Sequence, residues 1–508
     1  MFVFTASVSW GAAGSWEYSP YRIHVWIALA PQPELNHLVR AEIAATVLRR
    51  AGVEFRTTWE ILLTEPPASL VGELMSDLPR LSAARIAQVA ENQLVDDKLI
   101  CVSVDANRQR SIVRARELDS HTRLWGPLVE KSTRNPEQLA DTVFACLVEA
   151  FAPITRIELG ETRTAVVRLR AGGLAPEGQS LIRPGRGDVL VPVIRNNDRY
   201  GKPILERTAE VPWTLLQVTG EDDINRNLLN CNVYSGMRAP IRGRTSGRKE
   251  RYAVGVRRTH PATDMQVQIR TLKTTDPRVP LPGLEVYSRI PVAEPPRELT
   301  VEETKAEERT NPPEFLGYTD WSGTLRVLPA QAPLRLIYIK NGGQLLARLP
   351  TVPGYHATQL AEVPDDNPRL QAEGYVKGLN SQIMDLVAQR QILAARIRKR
   401  IAENKLEEAD QLLAEFRSLP TPSDLQRDLE TQMRRQVASP HPAVQTRIDK
   451  LYGETRALLP KYLDPDLSNK LMEEVRQARG RATAPTAPTA KSQARAPRPA
   501  TRELQAAA

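Results

Sequence analysis

The sequence has few of the residues from which metal centres and active sites are usually built. It contains three cysteines and six histidines among 508 residues. It has no Cys-x-x-Cys or His-Glu-x-x-His pair and no P-loop, Gly-x-Gly-x-x-Gly or Gly-x-Ser-x-Gly motif, the patterns of zinc sites, nucleotide-binding loops and hydrolase nucleophiles. We therefore predict no catalytic residue, no metal and no cofactor. An enzyme of an unrecognised type is the alternative, because active sites can be assembled from residues that are distant in sequence.

Aromatic residues and long apolar runs are also scarce. Aromatic residues make up 5% of the chain, whereas prolines number 40, a balance that is typical of many loops between modest cores. No run approaches the roughly 18 apolar residues of a membrane-spanning helix. At roughly 100–200 residues per domain, the length predicts three or four domains, and we expect a multi-domain α+β protein.

The first residues resemble the end of a secretory signal. The mildly apolar run 2–10 is followed by Gly11-Ala12-Ala13-Gly14, which offers the small residues of a cleavage site without a preceding basic region. We therefore predict that residues 1–20 are a leader or signal remnant behind a misassigned start codon. The protein is then expected to be periplasmic or otherwise extracytoplasmic. A disordered leader on a cytoplasmic protein is the alternative.

Residues 21–155 alternate between the patterns of strands and helices. Tyr21–Leu29 places apolar residues at alternate positions, which is typical of a strand. A helix is predicted to open at Pro33, with Leu38 and Ile43 on its apolar face. The complete order, β-α-β-α-β-β-α, predicts an α/β domain whose sheet is covered by helices.

A turn within this domain carries a family resemblance. The segment Leu118-Asp119-Ser120-His121-Thr122-Arg123-Leu124-Trp125 is similar to a turn of TolB amino-terminal-like and curli-export-lipoprotein-like domains. In such a turn the Asp and Thr bond to nearby backbone, and the Trp packs back on the sheet. The resemblance implies a bacterial envelope domain that binds proteins and carries no catalysis.

Two β-rich regions follow. Residues 156–277 contain short β-branched runs separated by Gly, Pro and Asn clusters, which predicts a basic barrel or sandwich with its last strand at Met265–Ile269. Residues 278–363 are predicted to form a separate β-sandwich. The Pro- and Glu-rich segment 291–314 interrupts this sandwich as an acidic insertion.

The second β-rich region also resembles a known family. The residues from Gly317 to Leu325 read Gly-Tyr-Thr-Asp-Trp-Ser-Gly-Thr-Leu, which resembles the turn of transthyretin-like, carboxypeptidase-regulatory-like sandwiches. Here Asp320 is expected to cap the turn and Gly323 to adopt a positive φ. The resemblance implies an accessory, adhesive or spacer module.

Residues 364–480 have the three- and four-residue apolar spacing of helices. A helical hairpin is predicted with its turn at 403–405, and Arg390 occupies one position of the apolar register. The apolar face of the second helix provides candidate partner-binding residues, which are Leu412, Leu413 and Phe416. The Ala-, Pro- and Thr-rich tail 481–508 is predicted to be disordered.

The most distinctive chemical feature is a basic cluster in which eight cations and one acid, Glu250, fall within 21 residues. Arginine forks bind carboxylate and phosphate groups, and a neighbouring Tyr can stack on a planar ligand. We therefore predict an anion- or polymer-binding surface. Its candidate residues are Arg238, Arg242, Arg244, Arg248, Lys249, Arg251, Tyr252, Arg257 and Arg258.

These observations favour a non-enzymatic extracytoplasmic scaffold or adaptor. Its expected partner is a protein, and an anionic glycan or lipid surface of the envelope is the next choice. The alternative is a cytoplasmic nucleic-acid-associated protein that uses the basic cluster and the basic tail, with binding that weakens steeply as salt is added.

Overall fold

The protein, described by a computed structural model, divides into two compact units, Met1–Pro364 and Asp365–Ala508. Among the residues described, no helix is both long and apolar enough to span a membrane. Most of the predicted leader, of the acidic insertion and of the tail lies outside the described part. The structure describes residues 16–107, 109–176, 181–238, 240–241, 246–271, 277–291 and 310–483.

The first unit opens with a five-stranded sheet in the order β2-β1-β3-β4-β5, in which β1 is parallel to β2 and β3 and the other pairs are antiparallel. Four helices cover it, so the predicted α/β domain is confirmed. Its elements are β1 Tyr21–Leu29, α1 His37–Glu54, β2 Trp59–Thr64, α2 Ala68–Ser76, α3 Ala83–Ala90, β3 Lys98–Asn107, β4 Arg110–Asp119, β5 Val129–Thr133 and α4 Leu139–Ala150.

Helices cover both faces of the sheet. Successive side chains of a strand point to opposite faces, so one strand can contribute to two cores. On β1, Ile23 and Val25 belong to one core with α1 and α4, whereas Trp26 belongs to the other core with α2 and α3. The first helix begins later than predicted. Its cap is Asn36, whose side chain accepts from two backbone N–H groups, and Leu38 is exposed beside that cap.

The next part of the first unit is a closed antiparallel barrel. Six strands pair in the ring β10-β11-β7-β6-β12-β8, which is closed by the pairing of β8 with β10, and β9 is added to β8. Buried aliphatic side chains from several strands fill the interior, as small barrels require. Its strands are β6 Ile154–Gly160, β7 Thr164–Leu169, β8 Val189–Asn196, β9 Ala209–Glu210, β10 Thr214–Glu221, β11 Leu228–Ser235 and β12 Lys249–Gly255.

A two-sheet sandwich completes the first unit. A three-stranded sheet, β16-β13-β19, and a four-stranded sheet, β15-β14-β17-β18, share one core. Its strands are β13 Thr263–Ile269, β14 Glu285–Arg289, β15 Glu314–Tyr318, β16 Thr324–Val327, β17 Arg335–Asn341, β18 Gln344–Thr351 and β19 Thr358–Val363.

The strand β13 corrects the predicted membership of Met265–Ile269 in the basic domain. It pairs with β16 and with β19, so it belongs to the sandwich. The predicted turn after β15 is confirmed: Asp320 Oδ1 accepts from the N–H of Ser322 at 2.9 Å and of Thr324 at 2.8 Å. Gly323 has a φ of 72°, and a Cβ there would lie 2.5 Å from a backbone oxygen.

The second unit is helical and is organised along one helix of 36 residues. The first half of this helix shares a core with α7 and α8, and its second half shares another core with α6 and α9. The predicted turn at 403–405 is confirmed, with Asn404 at a φ of 59°. The helices are α5 Asn367–Ala402, α6 Leu406–Ser418, α7 Pro422–Arg435, α8 Pro442–Tyr462 and α9 Leu467–Thr483.

Candidate functional site

A buried group of ionisable side chains lies where the α/β domain meets the barrel. Lys98, the first residue of β3, is directly opposite Asp119, the last residue of β4. Its Nζ donates to Asp119 Oδ2 at 2.6 Å, to Glu117 Oε1 at 2.7 Å and to the carbonyl oxygen of Ala152 at 2.8 Å. All three charged side chains are inaccessible to solvent or nearly so, with Lys98 at 0% exposure. We call these three residues the buried triad.

The electrostatics of the buried triad follow from one cation facing two carboxylates. Burial alone lowers the pKa of Lys98, but the charges of Asp119 and Glu117 outweigh burial, so its pKa is raised and the amine stays protonated. Burial raises the pKa of Glu117. For Asp119, burial is outweighed by Lys98 and His121, and its pKa is lowered. The triad therefore holds its amine as a structural ammonium ion.

The turn that follows β4 has the predicted local bonds. Asp119 Oδ1 accepts from the backbone N–H of Thr122 at 2.7 Å and from its hydroxyl at 2.8 Å. Trp125 packs against the helix-covered core of the sheet, with the guanidinium of Arg116 4.8 Å from its ring centroid. Asp119 thus bonds both to the turn, through Thr122, and to Lys98 of the buried triad. The sequence of the turn did not predict the bond to Lys98.

A second buried charge pair adjoins the triad. Arg170, just after β7 of the barrel, donates from Nε and Nη2 to the two carboxylate oxygens of Asp97, each at 2.9 Å. The same guanidinium donates to the carbonyl oxygens of Trp16, Ser19 and Pro20. His121 Nε2 lies 3.0 Å from Asp97 Oδ1. The pair therefore ties the barrel to the edge of the α/β domain.

The pKa of Asp97 reflects this surrounding. Burial acts to raise it, but hydrogen bonds from His121 and Arg170 outweigh burial and hold the pKa well below its ordinary value. An aromatic group lines the same junction, since the ring of His121 lies 5.1 Å from that of Trp16 and 5.7 Å from that of Tyr252. We call this junction, from the buried triad to Tyr252, the interdomain joint.

Of the clusters of ionisable side chains among the described residues, the interdomain joint most resembles an active site. Its hydrogen bonds and ion pairs nevertheless favour a structural role. Each charged group has charged or backbone partners within hydrogen-bond distance, and a general base needs a lone pair that a substrate can reach. Among the residues described, no three His, Cys, Asp or Glu side chains are grouped to hold a metal ion. The arrangement can orient the two domains rigidly.

The structure disperses the predicted basic cluster. Arg238, Arg248 and Lys249 are exposed on the barrel, and Arg258 is exposed with its Nη1 donating to the carbonyl oxygen of Ala330 at 2.8 Å. Arg242 and Arg244 lie outside the described residues. The exposed members are therefore spread along loops and the start of one strand.

Three other members of the cluster are buried or half-buried. Tyr252 is 1% exposed and lies in the interdomain joint, where the guanidinium of Arg195 is 5.7 Å from its ring centroid. Arg251 is 6% exposed. Arg257 donates from Nε to the carbonyl oxygen of Phe151 at 2.9 Å. Arg251 and Tyr252 are consecutive in β12 and therefore lie on opposite faces of the strand, yet both are buried, which corrects the expectation of one continuous surface.

The predicted partner-binding residues lie on α6 of the second unit. Leu413 and Phe416 are buried in the core that α6 shares with α5 and α9, and Leu412 is partly buried beside them. The contacts that these side chains make are therefore with helices of their own unit. Binding of another protein through them stays a prediction.

One concave feature is described on the first unit, a shallow groove of about 370 Å³. Its floor is apolar, with Phe144 and Val148 of α4. The guanidinium of Arg50 lies 4.5 Å from the ring centroid of Phe144 and is paired with Glu54 and Asp141. The charge of Arg50 at this groove is thus already matched within the protein.

Sequence reasoning missed Lys98, Asp97 and Arg170. One local signal was present, because Asp96-Asp97-Lys98 places three charges at the start of a strongly apolar strand. A charge in such a position is rarely buried without a partner. The sequence does not identify that partner, since Asp97 and Arg170 are 73 positions apart.

The described residues form a mixed α+β protein with a helix-covered sheet, a barrel, a sandwich and a helical unit. No protein-family model matches the chain, and no curated protein matches it. Solved structures are only weakly similar to this chain, with TM-scores of 0.16 to 0.17.

The likenesses are as follows. A lipoprotein from Neisseria meningitidis matches with 17% identity and a TM-score of 0.16, over 25% of this chain and 94% of the other. A dodecameric PelC from Paraburkholderia phytofirmans matches with 12% identity and a TM-score of 0.16, over 25% and 86%. TolB from Acinetobacter baumannii matches with 11% identity and a TM-score of 0.17, over 68% and 95%.

Proposed function

We propose that this chain is a non-enzymatic extracytoplasmic scaffold or adaptor, which holds a protein or an anionic polymer of the cell envelope. The observation that carries the proposal is the interdomain joint. There the side chains most suited to catalysis, including Lys98, Glu117 and Asp97, are buried and bonded to one another or to backbone. A joint of this kind fixes the relative position of two domains and leaves their outer surfaces for binding.

The three cysteines support a simple test of location. Cys101, Cys146 and Cys231 are buried free thiols, and burial raises the pKa of Cys146 and of Cys231 to about 12. A thiol reacts as its thiolate, so the native chain should give little background with a maleimide. Tyr200 is 73% exposed on a barrel loop and is a suitable position for a single reporter thiol.

The test uses the Tyr200→Cys variant expressed from its own genomic locus. A membrane-impermeant maleimide is added to cells whose outer membrane alone has been made permeable. The proposal predicts strong labelling of the variant in these permeabilised cells before lysis and little labelling of the native chain. Labelling of the variant only after lysis would place the protein in the cytoplasm and would overturn the proposal.

A matched control separates location from folding. The Val167→Cys variant places the new thiol in the barrel interior, at a side chain with 0% exposure. It should stay unlabelled in intact cells and in lysates, and should react after denaturation. Labelling of this variant in native lysates would show that the barrel is open, and the Tyr200→Cys result would then be repeated at the exposed Ile224.

A further inference from the structure

Three neighbouring aromatic rings form a surface on the sandwich, where Phe315 and Tyr318 are exposed and Tyr287 is partly exposed. Tyr287 of β14 pairs directly with Phe315 of β15, and their ring centroids lie 5.2 Å apart. The ring of Phe315 lies 5.2 Å from that of Tyr318 on the same strand. Phe315 is 48% exposed and Tyr318 is 60% exposed. We call these three residues the aromatic strip.

The aromatic strip lies on the outer face of the four-stranded sheet. The inner face is identified by Val286 and Ile339, which are in the sandwich core. Farther along the outer face, Leu336 of β17 packs against Val191 and Tyr234 of the barrel. The barrel therefore covers one part of this face and leaves the part on β14 and β15 exposed.

Polar groups stand beside the rings. Lys340 Nζ lies 4.7 Å from the ring centroid of Tyr287, and Lys340 has no ion pair with a carboxylate among the described residues. The hydroxyl of Tyr287 donates to Glu285 Oε2 at 3.0 Å. A ligand on the strip would thus meet apolar ring faces, one cation and one carboxylate acceptor.

The size of the strip favours a narrow ligand over a broad protein partner. The exposed part of three rings is at most on the order of 300 Å², whereas a stable protein interface buries about 800 Å² on each side. The barrel limits the surface on one side. On the other side, β15 is an edge strand with a register shift opposite Val286 and Tyr287, and such bulges discourage the addition of another strand.

A narrow polymer of acidic sugars fits these constraints. The faces of a sugar ring carry C–H groups that pack on aromatic rings, while its hydroxyls can donate to a carboxylate such as Glu285. A uronate carboxylate would pair with Lys340, and such charge-assisted hydrogen bonds are stronger than neutral ones. A polymer chain also needs only a narrow surface.

We propose that the aromatic strip, together with Lys340 and Glu285, is a binding site for a polyuronate glycan. The proposal rests on the proposed function, because it names the polymer that the extracytoplasmic adaptor would hold. The rings give the sugar faces an apolar surface, and Lys340 selects for acidic sugars over neutral ones.

The experiment measures binding of the full chain to polygalacturonate, alginate and hyaluronate by biolayer interferometry at low salt. Neutral galactan is the comparison polymer. The proposal predicts binding to at least one acidic polymer and weaker binding to galactan. Tyr318→Ala should weaken the binding about fivefold to tenfold, and Lys340→Gln should weaken binding to the acidic polymer down to the level of galactan.

The matched control is Tyr200→Ala. Tyr200 is exposed and has the guanidinium of Arg199 4.6 Å from its ring centroid. It is therefore an exposed tyrosine beside a cation, as in the aromatic strip, but it lies on the barrel. This variant should bind as the native chain does. Thermal unfolding of all variants should be unchanged, because the substituted side chains are at the surface.

Any of the following outcomes would overturn the inference. They are failure to bind any of the three acidic polymers, equal binding to galactan, equal weakening by Tyr200→Ala, and binding to single-stranded DNA in place of the glycans. Self-association of the chain that is lost in Tyr318→Ala would identify a second copy as the occupant and would also overturn it. Each result leaves the proposed function standing, since that is tested separately by the labelling of Tyr200→Cys in cells.

Discussion

Two buried cations, one in each unit, have different surroundings. In the first unit, Lys98 is bonded to two carboxylates and a carbonyl oxygen. In the second unit, Arg390 of α5 is 5% exposed, and its Nε and Nη1 have no hydrogen-bond partner among the described residues. Its guanidinium lies 5.0 Å from the ring centroid of Phe416. Removing a fully paired buried charge should destabilise the fold, because its partners are left unpaired. Removing a charge that lies mainly on an aromatic face should cost little stability.

The largest expected effect comes from breaking the buried triad. Lys98→Met should lower the free energy of unfolding by about 3–5 kcal/mol, because it leaves two buried carboxylates without their cation. Urea denaturation followed by circular dichroism measures the loss. A change within about 0.5 kcal/mol of the native value would show that the triad does not stabilise the joint.

The second unit contains its own paired arginine, which sharpens the comparison. Arg369 of α5 is 2% exposed and its Nη2 lies 2.6 Å from Asp366 Oδ2. Arg369→Met should destabilise the start of α5 by about 2 kcal/mol, because Asp366 loses its charged partner in a buried position. Hydrogen exchange of peptides from α5 would detect faster opening there, and unchanged exchange would contradict the prediction.

Acid should reveal the pair between Asp97 and Arg170. Because the pKa of Asp97 is held below its ordinary value, its ionised form contributes stability above the unfolded-state pKa of about 3.9, and that contribution is lost as the pH falls toward the folded-state pKa. Asp97→Asn should therefore cost about 1–2 kcal/mol near pH 7.

The difference between the native chain and Asp97→Asn should shrink as the pH is lowered from about 5 to about 2. Melting temperatures of both proteins across this range give the measurement. A difference that stays constant with pH would show that the carboxylate charge of Asp97 has no part in the joint.

The smallest effect has the opposite sign. Arg390→Met should raise the stability of the helical unit by about 1 kcal/mol, because an apolar side chain of similar length replaces a buried guanidinium. Hydrogen exchange of peptides from the second half of α5 should slow. Faster exchange would mean that the charge of Arg390 stabilises the unit. Burial lowers the pKa of Arg390 and the charge of Asp464 acts to raise it, so Asp464 is the acid that would then interact with it.

The local patterns of the sequence predicted the elements well. The alternation in Tyr21–Leu29 and the spacing around Leu413 and Phe416 placed these side chains in cores, because burial follows the period of the strand or helix. The same spacing could not tell packing within a unit from packing against a partner. Leu413 and Phe416 were therefore assigned to a partner although their own unit buries them.

Contacts between residues that are distant in the sequence could not be predicted from local patterns. The strand β13 was grouped with the barrel because it follows the barrel strands directly, yet its partner β19 begins at Thr358. The cluster from Arg238 to Arg258 was taken as one surface, but Arg251 and Tyr252, on opposite faces of β12, are both buried. In each case the deciding contact is made by residues many positions away.

The most direct test of this account compares Lys98→Met with the neutral triple variant Lys98→Met, Glu117→Gln and Asp119→Asn. If the buried triad is a structural ion group, removing both carboxylate charges should recover at least half of the stability that Lys98→Met loses, because no unpaired charge stays buried. Urea denaturation of the native chain and both variants gives the result. A triple variant that is no more stable than Lys98→Met would contradict the structural role assigned to the joint.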